Sequence, residues 1–283
     1  MNGPVEPEIA HALERAGLRA RSVQPIARIR PAASGRSLYR IVLESGRSIK
    51  ARRLDDETTA RQLFEIRREL PAAFAPAFCR CGRVLLEDWI EGDELGDDCP
   101  SDAQLAEAGA LLAQLHARPA LAGEALLGWR STHDWRKRTE QGLESLLAAE
   151  AIDAGAARAI GAALMRLDPQ RAIVGLVHSD FCGENMVIDG AGRLRVIDNE
   201  RLRVDALGFD LGRCWYRWGL PPRAWERFSS AYAAGLPLCE PLEHLGFWSL
   251  VVLVKSAVLR WQSDPERAHV PLGRLRALAC AQS

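Results

Sequence analysis

Lysine is almost absent: Lys50, Lys137 and Lys255 are the only three among 283 residues, and arginine supplies nearly all the positive charge. A lysine kept in such a chain is a candidate for work that a compact point charge does better than a planar guanidinium. Net charge is absent as well, with 37 Lys and Arg against 37 Asp and Glu. That balance, with no basic patch interleaved with aromatics, excludes the field expected of a protein that coats nucleic acid or an anionic membrane. The apolar run at 250–254 is cut by Lys255 and falls far short of the ~20 residues needed to span a bilayer. The seven cysteines are odd in number and show no C-x-x-C spacing, which argues against a disulfide framework or a structural zinc site. Cys79 and Cys81 read as alternating strand residues, and Cys182 as small apolar filler. The opening MNGPVEPEIAHALERAG has acids where an export signal would need a basic region and an apolar core, so the expected compartment is the cytoplasm.

What the chain does have is a concentration of proton-handling and metal-ligating side chains at 176–213, LVHSDFCGENMVIDGAGRLRVIDNERLRVDALGFDLGR. An apolar strand at 173–177 runs into His178, Ser179 and Asp180. Two short alternating strands, around 186–188 and 194–197, flank a turn at 189–192 and end at Asp198. A loop followed by a hairpin brings Asp180, Asn185 and Asp198 together. Elsewhere, periodicity predicts a helix over 6–16 stopped by Gly17, strands at 26–29, 37–43 and 47–54, and a helix over 55–70 with acids at its start. A strand at 84–90 follows, then helices at 102–117, near 141–149 and at 154–167, with a linker holding Trp129 and Trp135. The mostly helical remainder covers 228–234, 244–261 and 271–279.

The pattern H-x-D-x-x-x-x-N, an apolar strand and a second Asp resembles the catalytic and metal-binding loops of the protein-kinase-like superfamily. Specifically, it resembles the aminoglycoside phosphotransferase and choline kinase branch, with Asp198-Asn199-Glu200 as the D-x-E variant of small-molecule kinases. The resemblance covers about residues 20–260 and is strong only at 176–213. It implies Asp180 as the catalytic residue that takes or orients the acceptor hydroxyl proton, and Asn185 and Asp198 as oxygen ligands of Mg²⁺. It further implies Asp210 as support for the catalytic loop, with His178 and His116 as structural histidines bracing it. Glu200 is either a group near metal-bound water or a solvated strand-end acid. Residues 31–37 occupy the place of a phosphate-covering loop, though a single glycine departs from G-x-G-x-x-G.

Lys50, in Arg47-Ser48-Ile49-Lys50, resembles the V-A-I-K lysine that holds nucleotide phosphates, with Arg52, of the same strand parity, as runner-up. Glu57 is its implied helix partner, ahead of Glu65, and Trp89 and Ile90 are the hinge positions whose backbone would pair with adenine. The expectation is an α+β, two-lobe protein-kinase-like fold. Residues 1–91 would form a small antiparallel β lobe that binds nucleotide, and 92–283 a larger mostly helical lobe with catalytic and acceptor-binding roles. The cofactors implied are ATP and Mg²⁺, and the partner is a small hydroxylated substrate rather than nucleic acid or membrane. The function implied is a small-molecule kinase. A catalytically inactive nucleotide-binding scaffold and an aminoglycoside phosphotransferase proper stand as the alternatives. After Glu200, eleven Lys and Arg face seven Asp and Glu, which favours a neutral or anionic acceptor, such as a sugar or sugar phosphate, over a polycationic aminoglycoside.

Overall fold

In this computed structural model residues 6–26, 37–95, 100–118 and 128–281 are described. In chain order the elements are α1 (Pro7–Arg15), β1 (Ala20–Pro25), β2 (Ser37–Leu43), β3 (Ser48–Arg53), α2 (Glu57–Arg68), β4 (Ala77–Cys81), β5 (Val84–Asp88), β6 (Gly92–Glu94), α3 (Asp102–His116), β7 (Gly128–Ser131), α4 (His133–Ala148), α5 (Ala154–Leu167), β8 (Arg171–Val177), β9 (Met186–Asp189), β10 (Leu194–Val196), β11 (Arg203–Ala206), α6 (Leu207–Trp218), α7 (Pro222–Gly235), α8 (Glu240–Glu243), α9 (Leu245–Ser263) and α10 (His269–Ala281). Among the described residues, no helix is long and apolar enough to cross a membrane. The phosphate-covering loop expected at 31–37 lies outside them, apart from Ser37, which opens β2.

The chain divides into two compact units, Met1–Asp98 with Gly183–Leu202, and Cys99–Cys182 with Arg203–Ser283. A single cut after residue 91 would leave the β9–β10 hairpin with the second unit, whereas here it is grouped with the first. The physical reason is strand pairing. β6, where the sequence predicted the chain already turning helical, pairs antiparallel with β9, and β10 completes a three-stranded sheet.

The first unit is built on an antiparallel five-stranded sheet of order β1-β2-β3-β5-β4. Period two separates its faces. Val23, Ile41, Ile49, Ala51, Val84 and Leu86 form one apolar layer, against which α1 packs Ile9, Ala12 and Leu13. Side chains of the opposite parity, Lys50, Arg52 and Glu87, are left for the other face. Asp56 caps α2 by accepting the Thr59 N–H at 2.8 Å, so the helix begins just inside the predicted acidic stretch. The first strand runs over Ala20–Pro25 and Ile26 donates its N–H to the Leu38 carbonyl, while 27–29 of the strand expected at 26–29 lie outside the described residues.

The second unit combines the sheet β11-β8-β7 with helices. The predicted linker around Trp129 and Trp135 is instead β7 and the first turn of α4, because Gly128–Ser131 finds a partner in β8. Its core includes Leu143, Leu146, Ile160, Leu164, Phe209, Trp248 and Val251. Helix α9 is apolar around most of its circumference because it runs through this core, with residues 247–254 all buried. Helix α6 reaches it through two glycines spaced four apart. A Cβ on Gly208 would overlap the Trp248 indole, and one on Gly212 would lie 2.9 Å from the Trp248 carbonyl oxygen. Gly208→Ala is therefore expected to cost about 1–3 kcal/mol through overpacking, read as a lower urea midpoint with an unchanged m-value; an unchanged midpoint would show that α6 and α9 do not need this approach.

Candidate active site

In the first unit, β3 and β5 bring together a cluster of charges. Register sets Lys50 directly opposite Glu87, a cross-strand pair whose side chains share one face. Lys50 Nζ lies 4.0 Å from Glu87 and 3.3 Å from Asp198 Oδ1. Arg52, two residues on and 2 % exposed, donates to Glu87 at 3.4 Å and to Asp198 at 2.5 Å, and also pairs with Glu200. Arg67, from α2, closes the set at 2.7 Å from Glu87.

Burial alone would push the Glu87 carboxyl up, but Arg67, Lys50 and Arg52 overcome it and hold the group at about 2. Asp198 follows the same logic: burial raises it, and the Arg52 and Lys50 charges pull it well below the usual carboxylate range. Lys50 is lowered, first by burial and then by the Arg52 charge, against the attraction of Glu87 and Asp198.

Asp198 stands at the open end of the β9–β10 hairpin in the left-handed region, φ 61°, an uncommon conformation for a residue with a Cβ and one that functional sites often hold. The Ile197 N–H donates to the Asn185 carbonyl at 2.8 Å, which extends the hairpin and brings Asn185 and Asp198 onto neighbouring positions. Their oxygen donors, with Glu200 in the same cluster, have the hardness that Mg²⁺ prefers, and Asp198 is kept ionised as a ligand must be. Among the described residues, no group of three His, Cys, Asp or Glu side chains is arranged to hold a metal by itself. Such an ion would therefore take its remaining ligands from phosphate and water.

The implied Lys50–Glu57 pair is not formed. Glu57 sits in the first turn of α2, 70 % exposed, and pairs with Arg80 at 3.1 Å. Glu65, the alternative, pairs with Arg68. Glu87 takes that place by reaching Lys50 along the sheet, while α2 turns an arginine, Arg67, rather than an acid, toward Glu87. Sequence reasoning missed both, although an acid inside the apolar run VLLEDWI was a visible signal. Trp89 and Ile90 follow the end of β5, half-buried, with the Arg40 guanidinium 4.6 Å from the Trp89 ring centre.

In the second unit, β8 leads into the loop that carries Asp180. Asp210, fully buried on α6, accepts the His178 and Ser179 N–H groups, each at 2.7 Å, one on each carboxylate oxygen. Burial would raise this carboxyl, but the His116 hydrogen bond leads the interactions that lower it. His116 Nε2 is 3.2 Å from Asp210 and its Nδ1 is 2.9 Å from the Tyr232 hydroxyl. Ser179 is held at φ 66° immediately before Asp180. Asp180 itself is half-buried, and one of its oxygens receives Arg213 at 2.9 Å and Arg217 at 3.3 Å, two arginines a turn apart on α6. Their i,i+4 spacing was legible, but not which carboxylate they would meet.

The model of the phosphotransferase enzyme family (APH) matches residues 28–242. A search of curated protein sequences finds no match. Similar solved structures include macrolide 2'-phosphotransferase MphH from Brachybacterium faecium, at 16% identity and TM-score 0.64, covering 94% of this chain and 96% of that one. Choline kinase LicA from Streptococcus pneumoniae shares 13% identity at TM-score 0.66, with 96% and 98% of the two chains covered. A thermostable mutant of aminoglycoside phosphotransferase APH(4)-Ia shares 16% at TM-score 0.63, with 97% and 99% covered. With the family model spanning most of its length, the chain belongs to the phosphotransferase enzyme family and is an ATP-dependent phosphotransferase that acts on an alcohol group.

Proposed function

We propose that the protein is a small-molecule kinase that transfers the γ-phosphoryl group of ATP, with Mg²⁺, to a hydroxyl of a small neutral or anionic acceptor, a sugar or a related metabolite. The observation that carries this reading is the Lys50–Asp198–Arg52 cluster, a carboxylate kept ionised beneath two cations. Phosphoryl transfer asks a protein mainly to position and neutralise charge, and this pairing of a hard anionic ligand with phosphate-seeking cations suits it.

Asp198 and Asn185 would hold the metal, which supplies charge neutralisation at the phosphates. Lys50 and Arg52 would turn from the carboxylate to the phosphate oxygens as these arrive. Asp180 accepts the proton of the acceptor hydroxyl while its oxygen bonds to the γ-phosphorus. The bond from that phosphorus to the bridging oxygen breaks, and ADP leaves with the electron pair. Asp210 acts through the backbone of His178 and Ser179 and is a positioning residue.

Two outcomes test the reading. Asp180→Asn retains ATP binding and lowers kcat by about two to four orders of magnitude, the usual size of a general-base contribution; an unchanged kcat removes Asp180 from that role. Asp198→Ala abolishes the Mg²⁺-dependent rise in Tm that ATP confers on the wild type; a retained rise places the metal on other residues.

A further inference from the structure

The second unit contains a cavity of about 970 Å³ among β7, α4, β8, β11, α6 and α9. Val174, Val204, Phe209, Val251 and Val254 give it an apolar lining, and the cations Arg130, Arg138 and Lys255 open onto it. Two acids also line it, Asp134 and Asp205. Asp205 is already compensated, receiving Arg203 at 2.7 Å and the Trp135 indole N–H at 3.1 Å. Arg130, Arg138 and Lys255 form no ion pair among the described residues.

Lys255 is the most telling of the three. One of only three lysines, it interrupts the apolar α9 and rests 4.9 Å from the Phe209 ring centre. Its side chain is exposed, yet burial first and then the charges of Arg203, Arg213 and Arg138, against the attraction of Asp205, lower its pKa. Three cations that form no ion pair, against Asp134 and an Asp205 already shared with Arg203, leave the lining with an excess of positive charge. The cavity is also close to the transfer machinery. Phe209 lines it, and Arg213, one turn further along α6, contacts Asp180.

Resting on the kinase reading above, we propose that this cavity seats the acceptor and that the acceptor is an organic anion. It would be a hydroxylated skeleton with an apolar face, bearing a carboxylate or phosphate that Lys255 and Arg138 hold while its hydroxyl meets Asp180. The charge partner is lysine and arginine against a small oxyanion, a pairing strengthened by the partial exclusion of water. A polycationic acceptor would meet repulsion at the same positions.

The test uses the full chain with the nonhydrolysable analogue AMP-PNP and Mg²⁺, titrated calorimetrically with shikimate (carboxylate arm), phenyl phosphate (phosphate arm), benzyl alcohol (neutral) and kanamycin (cation). At least one anion is expected to bind in preference to the neutral and cationic probes. Lys255→Met should weaken that anion about tenfold, the loss of roughly one charge-assisted hydrogen bond, and Lys255→Arg should restore it. Arg138→Gln provides a second, surface substitution with the same expected direction. Binding of neither anion, preference for benzyl alcohol or kanamycin, or equal anion affinity in wild type, Lys255→Met and Arg138→Gln overturns the proposal. The arm that binds identifies carboxylate or phosphate as the group recognised. The Mg²⁺-dependent stabilisation by AMP-PNP is read separately. If it is present and the anions fail, only the acceptor inference falls; if it is itself missing, the kinase reading falls.

Discussion

Burying charge is expensive unless it is compensated, and this constraint governs the first unit. Arg52 is almost wholly enclosed and Glu87 is 1 % exposed, so neither can rely on water. The answer is a neutral set of three cations, Lys50, Arg52 and Arg67, with three carboxylates, Glu87, Asp198 and Glu200. Strand register delivers Lys50 and Glu87 opposite each other, α2 adds Arg67, and the hairpin end adds Asp198. Removing one member would leave an opposite charge buried without its partner. On the function proposed above, the cluster would exchange partners: phosphate would bring negative charge to the cations and a metal positive charge to Asp198.

Helix α6 organises the second unit in a comparable way. Its glycines admit the Trp248 indole, so the helix lies close against α9. From that seat Asp210 takes two backbone N–H groups of the Asp180 loop, Phe209 lines the cavity, and Arg213 and Arg217 reach Asp180. Packing, loop support and charge placement therefore depend on one helix whose position is set by the absence of two side chains. The Asp210 clamp also accounts for Ser179 at positive φ: two hydrogen bonds to an ionised acceptor can offset the ~1–3 kcal/mol of such a conformation.

Local rules made much of this legible. The alternation in 37–43, the turn at Gly46, the acidic start of α2 and the apolar stripe of α3 all correspond to elements whose forces act over a few residues. The short strands β6 and β7 were not visible. A strand of three or four residues carries little period of its own and exists only because β9 or β8 offers it backbone partners. Likewise Glu57, with the right charge on the right helix, proved to be a surface residue, because helical phase points Arg67 rather than Glu57 at the sheet.

By itself, then, the sequence determined the two-part α+β character, the phosphotransferase family resemblance and the candidates Asp180, Asn185 and Asp198. Each of these depends on residue type and on spacings of a few positions. Tertiary structure alone decided who pairs with whom: Glu87 with the β3 cations and with Arg67, Arg213 and Arg217 with Asp180, and Lys255 with an open cavity rather than a carboxylate. Those choices join positions tens to more than a hundred residues apart. They are set by strand register, helix phase and the cost of an uncompensated buried charge, none of which is written in a local pattern.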